Sequence, residues 1–263
     1  MPRFFVTPSQ VSQGDSGGQK IISIVGNDAV HISRVLRMKE GEKLMVCDSN
    51  GIEYETVILS VGEECIVEVK NEHVSLNEPP YKAVIYQALV KGDKFETVIQ
   101  KGTELGASVF VPIITKRCVV RLDGKDGAKK TERWQRIAEE AAKQCGRAAI
   151  PQVLLPITLK EAITQAKTNN ISERKILFCY EGEGTVPLPE VLSNSAVPKS
   201  VSVFIGPEGG FDEAEVEEAR VQGADLCGLG RRILRTETAS AFVLSCLSYR
   251  YELRQDYPKM KGD

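Results

Sequence analysis

Val201-Ser-Val-Phe-Ile-Gly206-Pro-Glu-Gly-Gly210-Phe-Asp-Glu-Ala-Glu215 reads as a buried strand that runs into a glycine-rich loop and then opens a helix. Glycines in such a loop let the backbone approach a ligand closely. Two common phosphate-binding loops fail against it. A P-loop needs Lys and Ser or Thr after its glycines, and a dinucleotide fingerprint needs G-x-G-x-x-G. Glu208, Asp212, Glu213 and Glu215 also surround the helix start, where a phosphate would otherwise use the positive end of the dipole. The segment disfavours a phosphate-bearing cofactor, whereas a nucleoside with a positive sulfonium and no phosphate meets no such objection. The plainer reading, acidic residues capping a helix after a tight loop, also fits these residues.

Outward from this segment, strand and helix patterns alternate. Ala83–Val90 reads as a strand, Lys94–Leu105 as a helix stopped at Gly106, Val109–Thr115 as a strand and Glu132–Arg147 as a helix before Pro151. Strand Val153–Leu155, helix Leu159–Lys167, strand Lys175–Tyr180 and a short helix at Leu188–Leu192 follow. Beyond the loop come helix Asp212–Gln222, a short strand at Asp225–Leu229 and helix Thr236–Leu253. This predicts an α/β domain with a mostly parallel sheet, whose ligands sit at the carboxyl ends of the strands.

The first 72 residues differ. Phe4–Val6, Lys20–Val25, Lys43–Asp48, Tyr54–Val61 and Cys65–Lys70 are short strands rich in Ile and Val, and Asn50-Gly51 signals a hairpin. Asn27 caps a short helix carrying Val30, Ile32, Val35 and Leu36. Together these predict a small β-barrel with one helix. Ser75-Leu-Asn-Glu-Pro79-Pro80 blocks both helix and central strand and is the linker candidate. The expected division is 1–73, a linker at 74–80, and 81–263.

The 263 residues carry 34 Lys and Arg against 36 Asp and Glu, a net charge of -2 that gives no general support for nucleic-acid binding. From Lys116 to Arg147, however, ten basic residues face five acidic ones, enough to track an RNA backbone or simply to solvate a loop and helix. No apolar run approaches the ~18 residues of a membrane span. The start lacks the features of a signal peptide, so a soluble, cytoplasmic protein is expected. Seven cysteines without a Cys-x-x-Cys pair and only two histidines, His31 and His73, argue against disulfides, structural zinc and a catalytic imidazole.

Two further segments carry chemistry. Leu229-Gly-Arg-Arg-Ile-Leu-Arg235-Thr-Glu237-Thr-Ala239 places three arginines in a loop before the last helix, suited to phosphates and base edges, or to an ordinary capped surface loop. In Glu132-Arg-Trp134 to Arg147, Trp134, Ile137, Ala138, Ala141, Ala142 and Cys145 recur at helical spacing and form a buried face. Arg133, Arg136, Glu140, Gln144 and Arg147 form a polar stripe, either solvated or facing RNA.

These segments together resemble the RsmE family, the 16S rRNA uracil-N3-methyltransferases of the SPOUT superfamily, over nearly the whole chain. The resemblance also rests on Arg3-Phe-Phe-Val6, His31-Ile-Ser-Arg34-Val-Leu-Arg37-Met with Gly41, Lys91-Gly-Asp-Lys94 and Gln100-Lys-Gly-Thr-Glu104-Leu-Gly106. It implies a PUA-like β-barrel that helps grip RNA, then a SPOUT domain with a C-terminal trefoil knot. The implied cofactor is S-adenosylmethionine (SAM), held by three loops. The first contributes Leu177, Tyr180 and Glu181, and the second Ile205, Gly206, Pro207, Glu208, Gly209 and Gly210. The third contributes Leu229, Gly230, Arg232, Ile233 and Leu234, with Thr238 and Ala239 beyond it. The implied RNA contacts are Arg3, His31, Arg34, Arg37, Lys91, Lys94, Arg117, Arg133, Gln144 and Arg147. The family's members are homodimers, which suits the apolar face Ala239, Phe242, Val243, Cys246 and Leu247 of the last helix; a face buried within one chain would read identically. Asp48-Ser-Asn-Gly51 departs from the family's usual turn, and residues 1–73 are acidic, with seven Lys and Arg against eleven Asp and Glu.

Uracil N3 must lose a proton as it attacks the methyl carbon, so a proton acceptor, a cation for the uracil oxygens, or both are needed. Arg3, Arg147 or Arg235 is expected to stabilise the anion, while Glu237 or Glu104 positions the base or takes its proton. N3 lies on the pairing edge, so the target is unpaired or flipped out. A ribose 2′-O-methyltransferase and a non-catalytic ribosome-assembly factor remain as alternatives, and a nicotinamide dehydrogenase stands well behind them because the fingerprint is missing.

Overall fold

The computed structural model describes residues 1–13, 18–120, 122, 124–168, 173–193 and 196–253. Arg121 and Asp123, counted in the basic stretch, lie outside the described residues. The chain divides into two units, one of residues 1–78 with 142–150 and the other of 79–141 with 151–263.

The first unit is a mixed six-stranded half-barrel. Its strands are β1 (Arg3–Phe5), β2 (Val11–Gln13), β3 (Lys20–Ile24), β4 (Lys43–Cys47), β5 (Ile52–Val61) and β6 (Cys65–Val74), in the order β1-β4-β5-β6-β3-β2. Only β1 and β4 pair in parallel. Inward alternation puts Ile22, Ile24, Leu44, Val46, Ile58 and Val67 in one core with Phe4 and Ile32. Helix α1 (Asn27–Val30) continues as a wider turn over His31–Val35. Gly26, at φ 68°, rather than Asn27 occupies the cap. Only Ile32 and Ala29 of the helix are buried, while Val30, Val35 and Leu36 are exposed. In the β4–β5 turn the left-handed residues are Ser49 and Gly51, not Asn50. The Asp48 carboxylate decides this by accepting the Asn50 and Ile52 amides at 2.8 and 3.1 Å, a side-chain turn that positions the backbone itself.

The second unit is a parallel sheet of β7 (Lys82–Ala88), β8 (Ala107–Ile114), β9 (Gln152–Val153), β10 (Ile157–Thr158), β11 (Arg174–Cys179), β12 (Val186–Pro187), β13 (Ser200–Ile205) and β14 (Asp225–Gly228). Its order is β10-β8-β7-β13-β11-β14-β12, with β9 beside β8. Helices α2 (Lys94–Glu104), α3 (Gly124–Cys145), α4 (Leu159–Thr168), α5 (Leu188–Ser193), α6 (Glu213–Val221) and α7 (Thr236–Tyr251) connect or follow the strands. Every residue of β13 is buried, as expected of a strand covered on both faces. β13 lies between β7 and β11, both of which precede it in the chain. Helix α3 begins at Gly124, two turns before its apolar periodicity starts, and buries Gly127, whose added Cβ would lie 3.6 Å from Pro156.

Candidate active site

Because β13, β11 and β14 run parallel as neighbours, the loops after Ile205, Cys179 and Gly228 emerge at one edge of the sheet. They enclose a cavity of about 600 Å³, within the size range of small-molecule sites. Its walls are Cys179–Gly182, Ile205–Phe211, Leu229, Ile233–Glu237 and Ala239, with Lys94 and Arg117 also lining it.

The glycine loop is held from several sides. A Cβ on Gly206 would lie 3.1 Å from the buried Phe211 ring, so a larger residue would have to push that ring aside. The turn closes by the Gly210 amide donating to Pro207 O at 2.9 Å, with Gly210 at φ 67°, a conformation glycine adopts without strain. Lys94 Nζ donates to Glu208 Oε1 at 2.6 Å, and Arg117 donates to Gly209 O at 3.1 Å. The Lys94 hydrogen bond holds the Glu208 carboxyl below its ordinary range, and Lys116 does the same for Asp212. Asp212 accepts from the Ala214 amide at 3.2 Å, and Glu215 Oε2 accepts from the Asp212 amide at 2.9 Å. The α6 N-terminus is thus closed by its own carboxylates, leaving a phosphate little of the usual attraction of a helix start.

On the opposite wall stand Arg235 and Glu237. Glu237 lies in the first turn of α7, where the helix dipole favours an anion, and its Oε2 is buried without a hydrogen-bond partner among the described residues. An acceptor left in that state at a cavity wall is suited to a donor brought by a ligand. Cys179 and Cys227, in register on β11 and β14, place their sulfurs 3.7 Å apart. That contact and burial push the Cys179 thiol well above its ordinary pKa, so it stays a neutral wall of the cavity.

Among the residues expected to hold a cofactor, Tyr180, Glu181, Ile205–Gly210, Leu229, Ile233, Leu234 and Ala239 line the cavity. Leu177 does not: it is fully buried inside β11. Gly230, Arg232 and Thr238 are exposed and lie outside the lining; Thr238 sits on a different side of the first α7 turn. Of the expected catalytic groups, Arg235 and Glu237 share the cavity. Glu104 ends α2 and accepts from Lys101 at 2.9 Å. Arg3 and Arg147 belong to the first unit, where Arg3 pairs with Glu53 at 2.9 Å and the buried Arg147 with Glu78 at 2.6 Å.

Of the expected RNA contacts, Lys94 and Arg117 line the cavity, Lys91 is exposed, and Arg133 pairs with Glu96 at 2.8 Å. His31, Arg34, Arg37 and Gln144 are exposed on the first unit. Sequence reasoning did not name Gly182, Phe211 and Thr236 as cavity residues, and took in Cys179 only as part of the Leu177–Glu181 loop. Each adjoins or lies within a motif already singled out, which was the available signal.

The chain matches the RNA methyltransferase domain family over residues 77–248 and the RNA methyltransferase PUA domain over residues 26–70. It is 39% identical to the ribosomal RNA small subunit methyltransferase E of Bacillus subtilis, across 96% of this chain and 98% of that one. It is 31% identical to the protein of the same name from Synechocystis, across 92% and 76% of the two chains. The crystal structure of a ribosomal RNA small subunit methyltransferase E from Neisseria gonorrhoeae bound to S-adenosyl methionine superposes with a TM-score of 0.77 at 29% identity, covering 95% of this chain and 97% of that one. Its PUA-like half-barrel, its parallel sheet and these matches establish that the chain belongs to the RNA methyltransferase family, SPOUT in fold.

Proposed function

We propose that this chain transfers a methyl group from SAM to N3 of a uridine in the 16S ribosomal RNA of the small subunit. The observation that carries this reading is the cavity at the carboxyl ends of β13, β11 and β14. One wall holds a guanidinium and a carboxylate with an oxygen unpartnered among the described residues, and the opposite loop is shut to phosphate. The residues fit SAM. Ile205, Leu229, Leu234 and Ala239 offer apolar surface to an adenine ring, and acidic groups do not oppose a sulfonium. The SAM-bound Neisseria relative supports the same choice.

The three loops would hold the cofactor, which supplies an activated methyl group and a neutral leaving group. The chain's own residues do the rest. Arg235 makes no ion pair among the described residues and is available to stabilise the developing uracil anion. Glu237 accepts the N3 proton or orients the base. Lys94, Arg117 and Lys91, with Arg34, Arg37, His31 and Gln144 on the first unit, supply the RNA contacts. Arg3 and Arg147 act by shaping the first unit through their carboxylate partners, and Glu104 is a surface residue. The knot is part of this proposal, supported by the position of β13 between two strands that precede it.

We also propose a cytoplasmic homodimer. Ala239, Val243 and Leu247 of α7 are buried within the unit, but Phe242, Tyr249 and Leu253 form a second, outward stripe, with Cys246 at its margin packed against the core. No described helix is long and apolar enough to cross a membrane.

The test is incubation with labelled SAM and small ribosomal subunits lacking the modification, followed by nucleoside analysis. The expected product is 3-methyluridine; a 2′-O-methyl nucleoside overturns the base assignment, and absent SAM binding overturns catalysis. Arg235→Ala and Glu237→Ala are each expected to lower turnover by about 100-fold with folding retained. Normal turnover in both variants rejects their roles.

A further inference from the structure

Beneath the cavity lies a buried polar chain that no catalytic step uses. Gln87 sits near the end of β7 and is fully buried, as is Ser240 in α7, while Thr236 at the start of α7 is buried apart from an edge on the cavity wall. Gln87 Nε2 donates to Thr236 Oγ1 at 2.6 Å, and Thr236 Oγ1 donates to Gly206 O at 2.7 Å. The direction of the chain follows from its partners. Gln87 Nε2 also faces Ala88 O at 3.3 Å, a group that only accepts, so the amide nitrogen must point this way. The hydroxyl, having accepted from Gln87, has its single proton for Gly206. Ser240 Oγ lies 3.3 Å from Gln87 Oε1 at the other end of the amide and shares its single proton between that oxygen and Thr236 O at 3.2 Å.

The acceptor at the end of this chain is unusual. The peptide joining Gly206 to Pro207 has no N–H, so its carbonyl is its only polar group and Thr236 engages it. Thr236 directly follows the 229–235 loop, and Gly206 begins the 206–210 loop. One hydroxyl therefore ties together two walls of the cavity that lie thirty residues apart in sequence.

We propose that Gln87 and Thr236 are positioning residues for the cofactor: the two-bond chain from Gln87 through Thr236 to Gly206 holds the two loops at the spacing that cofactor binding requires. This inference rests on the reading of the cavity as a SAM site. Gln87 is set back from the cavity lining, and Thr236 on the wall acts through its bond to Gly206. Removing the hydroxyl deprives a buried Gln87 N–H and the part-buried Gly206 carbonyl of this partner, which favours loop arrangements that expose them.

The test uses the full chain and two readouts. Calorimetric titration with SAM is expected to show about tenfold weaker binding for Thr236→Val and several-fold weaker binding for Gln87→Met, with Thr236→Ser close to the parent protein. Hydrogen exchange without SAM is expected to speed up at the amides of residues 208–211 in Thr236→Val and to return to the parent rate in Thr236→Ser. Parent-like affinity and parent-like exchange in Thr236→Val overturn the inference while leaving the cofactor reading intact. Failure of the parent protein to bind SAM overturns both. If Thr236→Val does not fold, Gln87→Met decides by the same two measurements, since it leaves the Thr236 hydroxyl in place. An equal loss of affinity in Thr236→Ser also counts against the chain, because serine keeps the hydroxyl.

Discussion

A guanidinium's neighbours decide its use, and the arginines of this chain divide on that basis. Arg3 donates to Glu53, which is 7% exposed and also accepts from Ser75 Oγ at 2.6 Å. Burial alone would raise the Glu53 pKa, but the Ser75 hydroxyl and the Arg3 guanidinium outweigh it and hold the carboxyl below its ordinary range. A carboxyl with a lowered folded pKa contributes stability above its unfolded value and loses it as pH falls through the folded one. Glu53→Gln is therefore expected to destabilise the protein by about 3 kcal/mol near pH 7. In urea unfolding, the gap between parent and variant should narrow from about pH 5 downward. A gap that stays constant to pH 3 would show that the Glu53 charge does not contribute. Arg147 is similarly committed, since Glu78 also accepts the Ala148 and Ala149 amides at 2.9 and 3.1 Å. Arg235 has no such partner among the described residues, which is what supports the proposal that it, of the three, meets the substrate.

Helix α2 shows at the scale of an element how packing overrules propensity. Gly102 lies in its interior, where alanine would ordinarily be favoured by about 1 kcal/mol. A Cβ there would lie 2.6 and 2.8 Å from ring atoms of Phe110, which is fully buried in β8, and 3.6 Å from Leu244 of α7. The glycine sets how closely α2 approaches the sheet, and through it the placement of Lys94, one of the cavity's cations, at the other end of the helix. Gly102→Ala is expected to lower stability by about 1–2 kcal/mol by overpacking, as measured by thermal unfolding. A stabilised variant would mean that the Phe110 ring yields freely.

At the scale of the whole molecule, α7 is apolar on two sides. Its inner side completes the core of the second unit through Val243, Leu244 and Leu247, with Cys246 packed at the core's margin, and its outer side carries Phe242 and Tyr249, followed by exposed Leu253 just beyond the helix. The proposed homodimer covers that outer stripe. Light scattering is expected to give twice the chain mass for the parent protein and a single chain mass for Phe242→Glu, because a charge at that position would have to be buried against a partner. A monomeric parent protein rejects the dimer.

The amino-acid sequence by itself determined the two kinds of architecture and the loops that build the cavity. Those depend on local properties: the period of apolar residues, glycines at a strand end, carboxylates at a helix start. The sequence also carried the motifs that mark the family. It did not determine which of the singled-out residues meet. Leu177 went into the strand interior, Arg3 and Arg147 were taken by Glu53 and Glu78, and Gln87, unremarkable in its strand, came to hold Thr236 and Gly206. The tertiary structure decided these because a hydrogen bond or ion pair depends on distances between atoms far apart in the chain, which the order of β7, β13, β11 and β14 sets and no local pattern encodes.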